Sequence, residues 1–197
     1  FAKDCDFINA TGYGLGLQAK GSGVPIGRQK DVYIENCRFD ANGSGIEGSE
    51  TFDGLDIKDA DRLVVIGCIA TNNFDKGIDI RGRDVTLIGN TTANNTVYGL
   101  GLGVNGEART ADIVVMGHHS HHNGSDGVVV YDGSVGSFRL NLDISGLSSH
   151  ENSGHGIHFN VAENWRVEIT GSRLWSNTGS GLRAVGFEQL GIANTQI

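Results

Sequence analysis

Along this chain, apolar and polar positions repeat one short phrase: glycine, apolar, any residue, apolar. It reads Gly14-Leu15-Gly16-Leu17, Gly54-Leu55-Asp56-Ile57, Gly77-Ile78-Asp79-Ile80 and Gly99-Leu100-Gly101-Leu102. It continues as Gly127-Val128-Val129-Val130, Gly156-Ile157-His158-Phe159 and Gly181-Leu182-Arg183-Ala184. Alternation over so few residues predicts short strands with one face buried. A second alternation lies between the phrases, as in Val32-Tyr33-Ile34, Leu63-Val64-Val65-Ile66, Val85-Thr86-Leu87-Ile88, Ile113-Val114-Val115-Met116 and Trp165-Arg166-Val167-Glu168-Ile169. Each period of about 22–29 residues therefore holds two or three strands joined by turns.

Turn residues keep the same beat. Asn73, Asn95, Asn123, Asn152 and Asn177 each stand four positions before a motif glycine, and Asn42 holds the matching place with an insertion after it. Asn tolerates left-handed backbone and bonds nearby main chain. Stacked coils would align these amides in a ladder. One coil cannot bury its own apolar face, but a stack can. The expectation is an all-β solenoid, a parallel β-helix of about seven coils and about 35 Å at roughly 4.8 Å per coil. The step of 40 residues from Gly14 to Gly54 leaves two alternatives: an insertion, or one more coil with Gly45-Ile46-Glu47-Gly48 as its degenerate phrase. The whole of residues 1–197 reads as a single domain. It opens on Phe1 and stops at Ile197 inside an apolar alternation, so truncation at both ends is expected.

The three cysteines fall in one column of this register. Cys5 and Cys68 lie nine residues before the motif glycine and Cys37 lies five before its Asn; Asn90, His118, Leu147 and Ser172 continue the column. Buried reduced thiols are expected, because three cysteines cannot all pair and no zinc-type spacing exists.

Side chains alternate along a strand. The positions one before, two after and four after each motif glycine should therefore point outward. The first column reads Tyr13, Asp53, Lys76, Tyr98, Asp126, His155, Ser180; the second Gly16, Asp56, Asp79, Gly101, Val129, His158, Arg183; the third Gln18, Lys58, Arg81, Gly103, Tyr131, Asn160, Val185. Two coils combine Asp53, Asp56, Asp75 and Asp79 with Lys58, Lys76, Arg81 and Arg83. The next offers Gly101 and Gly103 as a floor without side chains. Beyond it stand Asp126, Tyr131, His155 and His158. A groove with charges, a bare patch and aromatic walls suits an extended sugar chain; the plain alternative is a solvated face with charges alternating between rungs.

Composition narrows the picture. Glycine, at 31 of 197 residues, has no G-X-Y period and rules out both collagen and a helical bundle. No apolar run approaches the ~18 residues of a membrane span. Net charge is −8, which argues against a nucleic-acid partner because phosphate contacts need clustered cations. Carboxylates at Asp53, Asp56, Asp75 and Asp79 suit calcium, Ca²⁺, whose ligands are oxygens; Lys58, Lys76 and Arg81 are the competing source of positive charge. The run His118-His119-Ser120-His121-His122 suggests a metal site. Its register sends His118 inward and His119 and His121 outward, so four ligands should not converge.

These residues bear a resemblance to known families. The whole chain resembles the right-handed parallel β-helix of polysaccharide lyases and mannuronan C5-epimerases, and the resemblance supplies the handedness. Asn9-Ala10-Thr11-Gly12-Tyr13-Gly14-Leu15-Gly16-Leu17-Gln18 is similar to the epimerase active-site coil, with Tyr13 at the catalytic tyrosine and Gly16 and Gln18 where that family has Asp and His. Asp53-Gly54-Leu55-Asp56, followed by Asp75-Lys76-Gly77-Ile78-Asp79, resembles the calcium coils of family-nine pectate lyases, with Lys76 replacing one Asp. Phage tailspikes share such repeats.

The resemblance implies an extracellular or cell-surface enzyme on an acidic polysaccharide, a lyase or C5-epimerase. Both reactions remove the proton beside a uronate carboxylate. Ca²⁺ or Arg81 would neutralise that carboxylate, Lys58 would be the base, and Tyr98 or Tyr131 the acid. Tyr13, Gly101, Gly103, Asp126, Tyr131, His155 and His158 would bind substrate. The competing expectation is a non-catalytic glycan-binding rod on a virion tail or cell surface, a homotrimer in the case of a phage spike.

Overall fold

The computed structural model describes residues 1–17, 29–43, 52–104, 110–132, 139–160, 165–185 and 187–197. Its strands form a three-faced parallel β-helix, and every strand pairing is parallel. The first face carries the glycine phrase: Leu15–Leu17, the start of Leu55–Ile66, Ile78–Gly82, Leu100–Val104, Val128–Asp132, Ile157–Asn160 and Leu182–Arg183. The second carries the longer alternations, including Gln29–Glu35, the end of Leu55–Ile66, Val85–Ile88, Thr110–Met116, Arg139–Ser145 and Trp165–Thr170. The third face is a seven-stranded sheet of three-residue strands, from Asp6–Ile8 to Arg173–Trp175.

The alternation places its apolar residues inside. Leu55, Ile57, Ile78, Ile80, Leu100 and Leu102 from the first face meet Leu63, Val65, Leu87 and Ile113 from the second in one continuous core. Each such side chain contributes about 1.5–3 kcal/mol by leaving water. The third face is thinner and partly polar. Thr92, Ser120 and Ser149 are buried there, with Ser120 donating to the Gly127 carbonyl at 2.7 Å and Ser149 to the Gly156 carbonyl at 2.8 Å. The thiols of Cys37 and Cys68 are free and buried, and Cys5 is free and half-buried.

The Asn ladder closes each coil onto the next. Asn73 Oδ1 accepts from both the backbone N–H and Nδ2 of Asn42, at 3.1 and 3.0 Å. The pattern repeats from Asn73 to Asn95, Asn95 to Asn123, Asn123 to Asn152 and Asn152 to Asn177. The ladder also explains the motif glycine. A Cβ at Gly54 would lie 2.6 Å from Asn73 Nδ2 and 2.7 Å from the Gly77 carbonyl oxygen, so the amide of the next coil occupies the space a side chain would need.

Leu15, Gly16 and Leu17 pair directly with Leu55, Asp56 and Ile57. The long first step is therefore an insertion within one coil. The phrase considered at Gly45–Gly48 lies outside the described residues, as does Gln18. The outward columns hold their register: Asp56 pairs with Asp79, Asp79 with Gly101, Gly101 with Val129, Val129 with His158 and His158 with Arg183.

Candidate functional site

Two polar clusters occupy the outer side of the first face. The first spans the coils of Gly54 and Gly77. Asp56 and Asp79 point away from the core yet are fully buried, and Asp53 and Asp75 nearly so. Long side chains from the same columns fold over them. Lys58 Nζ reaches Asp56 Oδ1 at 2.7 Å and Asp79 Oδ2 at 3.2 Å. Lys76 Nζ lies 3.4 Å from Asp53, 3.3 Å from Asp75 and 3.4 Å from Asp79. Arg81 stands 3.7 Å from Asp79, and its guanidinium covers the Tyr131 ring at 5.0 Å. The Tyr131 hydroxyl donates to Asp79 Oδ1.

Charge states follow from this packing. Burial opposes ionisation of Asp79, but Lys76, Lys58, the Tyr131 hydroxyl and Arg81 outweigh it and hold the carboxyl below its usual range. Burial also dominates at Asp53; Lys76 opposes it, Asp79 and Asp75 add repulsion, and the pKa rises to about 8. Burial thus favours the protonated form of Asp53, the reverse of Asp79, although Lys76 stands beside both. For Lys58, burial works against the charge, but Asp79 and Asp56 prevail and raise its pKa.

These facts bear on three expectations. A base must give up its proton near neutrality, and Lys58 is held as an ammonium between two carboxylates. Gly101 and Gly103 are not a bare floor. Both are buried under Tyr131: a Cβ at Gly101 would meet its ring at 3.2 Å, and one at Gly103 at 3.0 Å. Asp53, Asp56 and Asp79 do bring oxygens within 4.8 Å of one another. However, Lys58 and Lys76 supply the positive charge among them, and burial favours the protonated form of Asp53. For these oxygens to serve Ca²⁺, whose six to eight ligands include waters and bidentate carboxylates, both ammonium groups would have to leave. Asp75 is turned to Lys76 in the same way.

The second cluster lies further along the same face. Asp126, almost fully buried, accepts the His155 backbone N–H at 2.6 Å and contacts His158 Nδ1 at 2.9 Å. An ionised carboxylate only accepts, so His158 Nδ1 carries a proton and its Nε2 keeps a lone pair in the neutral ring. His155 has the opposite tautomer. Its Nδ1 accepts the backbone N–H of Ser180 at 2.9 Å, so its proton sits on Nε2. That Nε2–H lies 3.4 Å from Nη1 of the exposed Arg183. Both nitrogens are then donors, so their contact is not a hydrogen bond, and both can turn to an anion beside the His158 ring, whose centroid lies 5.1 Å from that of His155. Ligating atoms of Asp126, His155 and His158 also fall within 4.8 Å. The Ser180 amide occupies the only lone pair of His155, so a three-ligand metal site there does not fit.

Tyr98 belongs to the same column as Asp126, one coil earlier; burial and the Asp126 charge raise its pKa, so its hydroxyl stays protonated. It does not join Lys58 and Arg81, which sit in another column. Tyr13 packs edge-on against Phe52 at 4.9 Å, four coils and about 19 Å from Asp126. Arg183 was legible as the residue after His158 in its column, but only the Ser180 contact reveals the donor pair.

A family model described as a right handed beta helix region matches residues 49–197. No curated protein and no solved structure matches the chain.

Proposed function

We propose, for a chain that belongs to the right-handed beta helix family, that the first face acts on an acidic polysaccharide by removing the proton beside a uronate carboxylate. The observation that carries this reading is the pair of contacts that assigns the two tautomers, the Ser180 N–H on His155 Nδ1 and the Asp126 carboxylate on His158 Nδ1. Arg183 and the His155 Nε2–H would receive the carboxylate and take up the negative charge that develops on it. His158 Nε2, oriented through Asp126, would take the proton from C5. The protonated Tyr98 hydroxyl is the acid on the same face. Donation to the leaving O4 gives elimination; return of a proton to the opposite side of C5 gives epimerisation. Such polymers lie outside cells, so the reading puts the protein at a cell surface, in the extracellular space or on a virion tail.

A second reading is a glycan-binding rod without catalysis. The sealed Asp/Lys/Tyr131 cluster favours it, because Lys58 in a coil that resembles the lyase motif is held as an ammonium and Tyr131 covers the glycines of a later coil.

One experiment separates the two. Polymannuronate and polygalacturonate are incubated with the protein in D₂O. Ultraviolet absorbance of the conjugated alkene reports elimination, and loss of the C5 proton signal reports exchange. Turnover or exchange in the wild type that disappears in His158→Gln supports proton abstraction. Retention of a polymer with neither alkene nor exchange leaves the binding rod. If no polymer is retained or altered, the face is not a glycan site.

A further inference from the structure

The histidine run takes a course that alternation alone does not predict. His118 is buried, His119 exposed and Ser120 buried, as a strand requires. His122 then leaves the strand in the left-handed region, with φ of 56°. This turn brings its imidazole back to His121, and the two Nδ1 atoms lie 2.9 Å apart. Neighbouring histidines that should face opposite ways therefore meet.

The next coil repeats the corner. His150 pairs in register with His121, and their rings stack at 5.2 Å and 9°. Glu151 takes the same left-handed turn as His122, with φ of 54°. Its carboxylate lies 3.3 Å from His122 Nε2 and 3.0 Å from His150 Nδ1. Trp175 covers the far side of His150 at 4.3 Å.

The carboxylate decides which nitrogen of His122 is free. Glu151 stands 3.3 Å from His122 Nε2 and favours a proton on that nitrogen, so His122 Nδ1 presents a lone pair to His121. Two imidazole lone pairs cannot approach to 2.9 Å without positive charge between them. In the absence of metal that charge is the Nδ1 proton of His121. A metal ion can replace it if His121 shifts its proton to Nε2, a change of tautomer that needs no net proton release. Metal–imidazole bonds are about 2.0–2.1 Å, so two cis ligands at a right angle have their nitrogens about 2.9 Å apart; a tetrahedral angle would need about 3.4 Å. The right-angle bite, with imidazole donors, suits tetragonal Cu²⁺ or Ni²⁺ better than tetrahedral Zn²⁺. A carboxylate on the outer nitrogen is the usual second partner of a ligating histidine.

We infer that His121 and His122 form a bidentate site for a divalent transition-metal ion, Cu²⁺ or Ni²⁺, bound through both Nδ1 atoms, with Glu151 holding His122 in the required tautomer. Water fills the remaining positions, because the His122 side chain is half exposed. The site stands on a different corner from the Asp126 cluster and is independent of the glycan reading.

The test is titration of the chain, free of any polyhistidine tag, with Cu²⁺ and Ni²⁺ by calorimetry. Electron paramagnetic resonance of the Cu²⁺ form then counts coordinating nitrogens. One ion per chain is expected, with two imidazole nitrogens. The variants copy residues that the fold already accepts at these places. His122→Asn follows Asn72 and Asn94, which make the same left-handed turn, and His121→Ala follows Ala93, its register partner. Each should weaken binding at least tenfold, and Glu151→Gln by about tenfold. Wild type that binds neither ion at 100 times the protein concentration overturns the proposal. So does binding that survives both histidine variants, or that is lost in His158→Gln instead.

Discussion

The Tyr131 hydroxyl reaches back across two coils to donate a hydrogen bond to the buried carboxylate of Asp79. The ring between these ends lies flat over Gly101 and Gly103, and Arg81 packs on its outer side. The two glycines thus make room for a protein side chain rather than a ligand. Tyr131→Phe keeps the ring but removes a donor from a buried charge, which costs about 1–3 kcal/mol. Chemical denaturation should show that loss with the fold intact by circular dichroism. An unchanged midpoint would mean that Lys58 and Lys76 satisfy Asp79 without the hydroxyl.

Asp53 makes the opposite case, a carboxyl whose ionisation burial opposes. Its folded pKa, about 8, lies above the ordinary Asp value of 3.8. A raised carboxyl pKa contributes stability that is full below the unfolded pKa and lost as pH rises through the folded one. Asp53→Asn keeps the acceptor for the Lys76 backbone N–H, seen at 3.0 Å. The variant should therefore match wild type near pH 4 and melt higher than wild type at pH 8. Calcium should leave the melting temperature of both unchanged. A calcium-dependent rise that Asp79→Asn abolishes would show that the lysines yield their places to the ion.

The columns that place Asp53, Asp79 and Tyr131 were legible in the sequence, because a period-two alternation anchored on a glycine fixes register coil by coil. What the columns cannot show is where a long side chain goes after it leaves the strand. Lys58, Lys76 and Tyr131 all fold along the axis onto neighbouring rungs, so residues that alternation marks as outward end up buried. Tautomers are further from view. The roles of His155 and His158 depend on a backbone N–H from Ser180 and on Asp126, contacts between three different coils. The meeting of His121 and His122 depends on one left-handed residue at a position that the two preceding coils fill with Asn72 and Asn94.

Within the Asn ladder, cost should follow burial. Asn123 is buried and bonds in both directions, accepting from Asn95 Nδ2 at 3.0 Å and donating to Asn152 Oδ1 at 2.9 Å. Truncation to Ala strands the Asn95 backbone N–H, which Asn123 Oδ1 accepts at 3.1 Å. Asn123→Ala should cost about 3 kcal/mol or more, since each orphaned buried group costs about 1–3. Asn177 is only half-buried, and water can replace its bonds. Asn177→Ala should cost less than half as much in the same denaturant titration. Equal losses would argue that the ladder acts as one cooperative unit rather than rung by rung.

His118 gives the fold an acid limit. It is fully buried, its Nε2 lies 3.1 Å from Thr92 Oγ1, and its Nδ1 has no hydrogen-bond partner among the described residues. Burial, with a smaller push from His119, lowers its pKa to about 3. An unfolded histidine titrates near 6.5. The native state therefore refuses a proton that the unfolded chain accepts. Stability is full above pH about 6.5 and falls as pH drops towards 3, at up to about 1.4 kcal/mol per unit for this one group. The same column holds Asn90 one coil before and Leu147 one coil after, so His118→Asn and His118→Leu both copy residues the stack accommodates. Each variant should flatten the decline in unfolding midpoint between pH 6 and pH 4 relative to wild type. A slope unchanged in both would assign the acid sensitivity to the carboxylates around Lys58 and Lys76, whose ion pairs also fail as Asp79 takes up a proton.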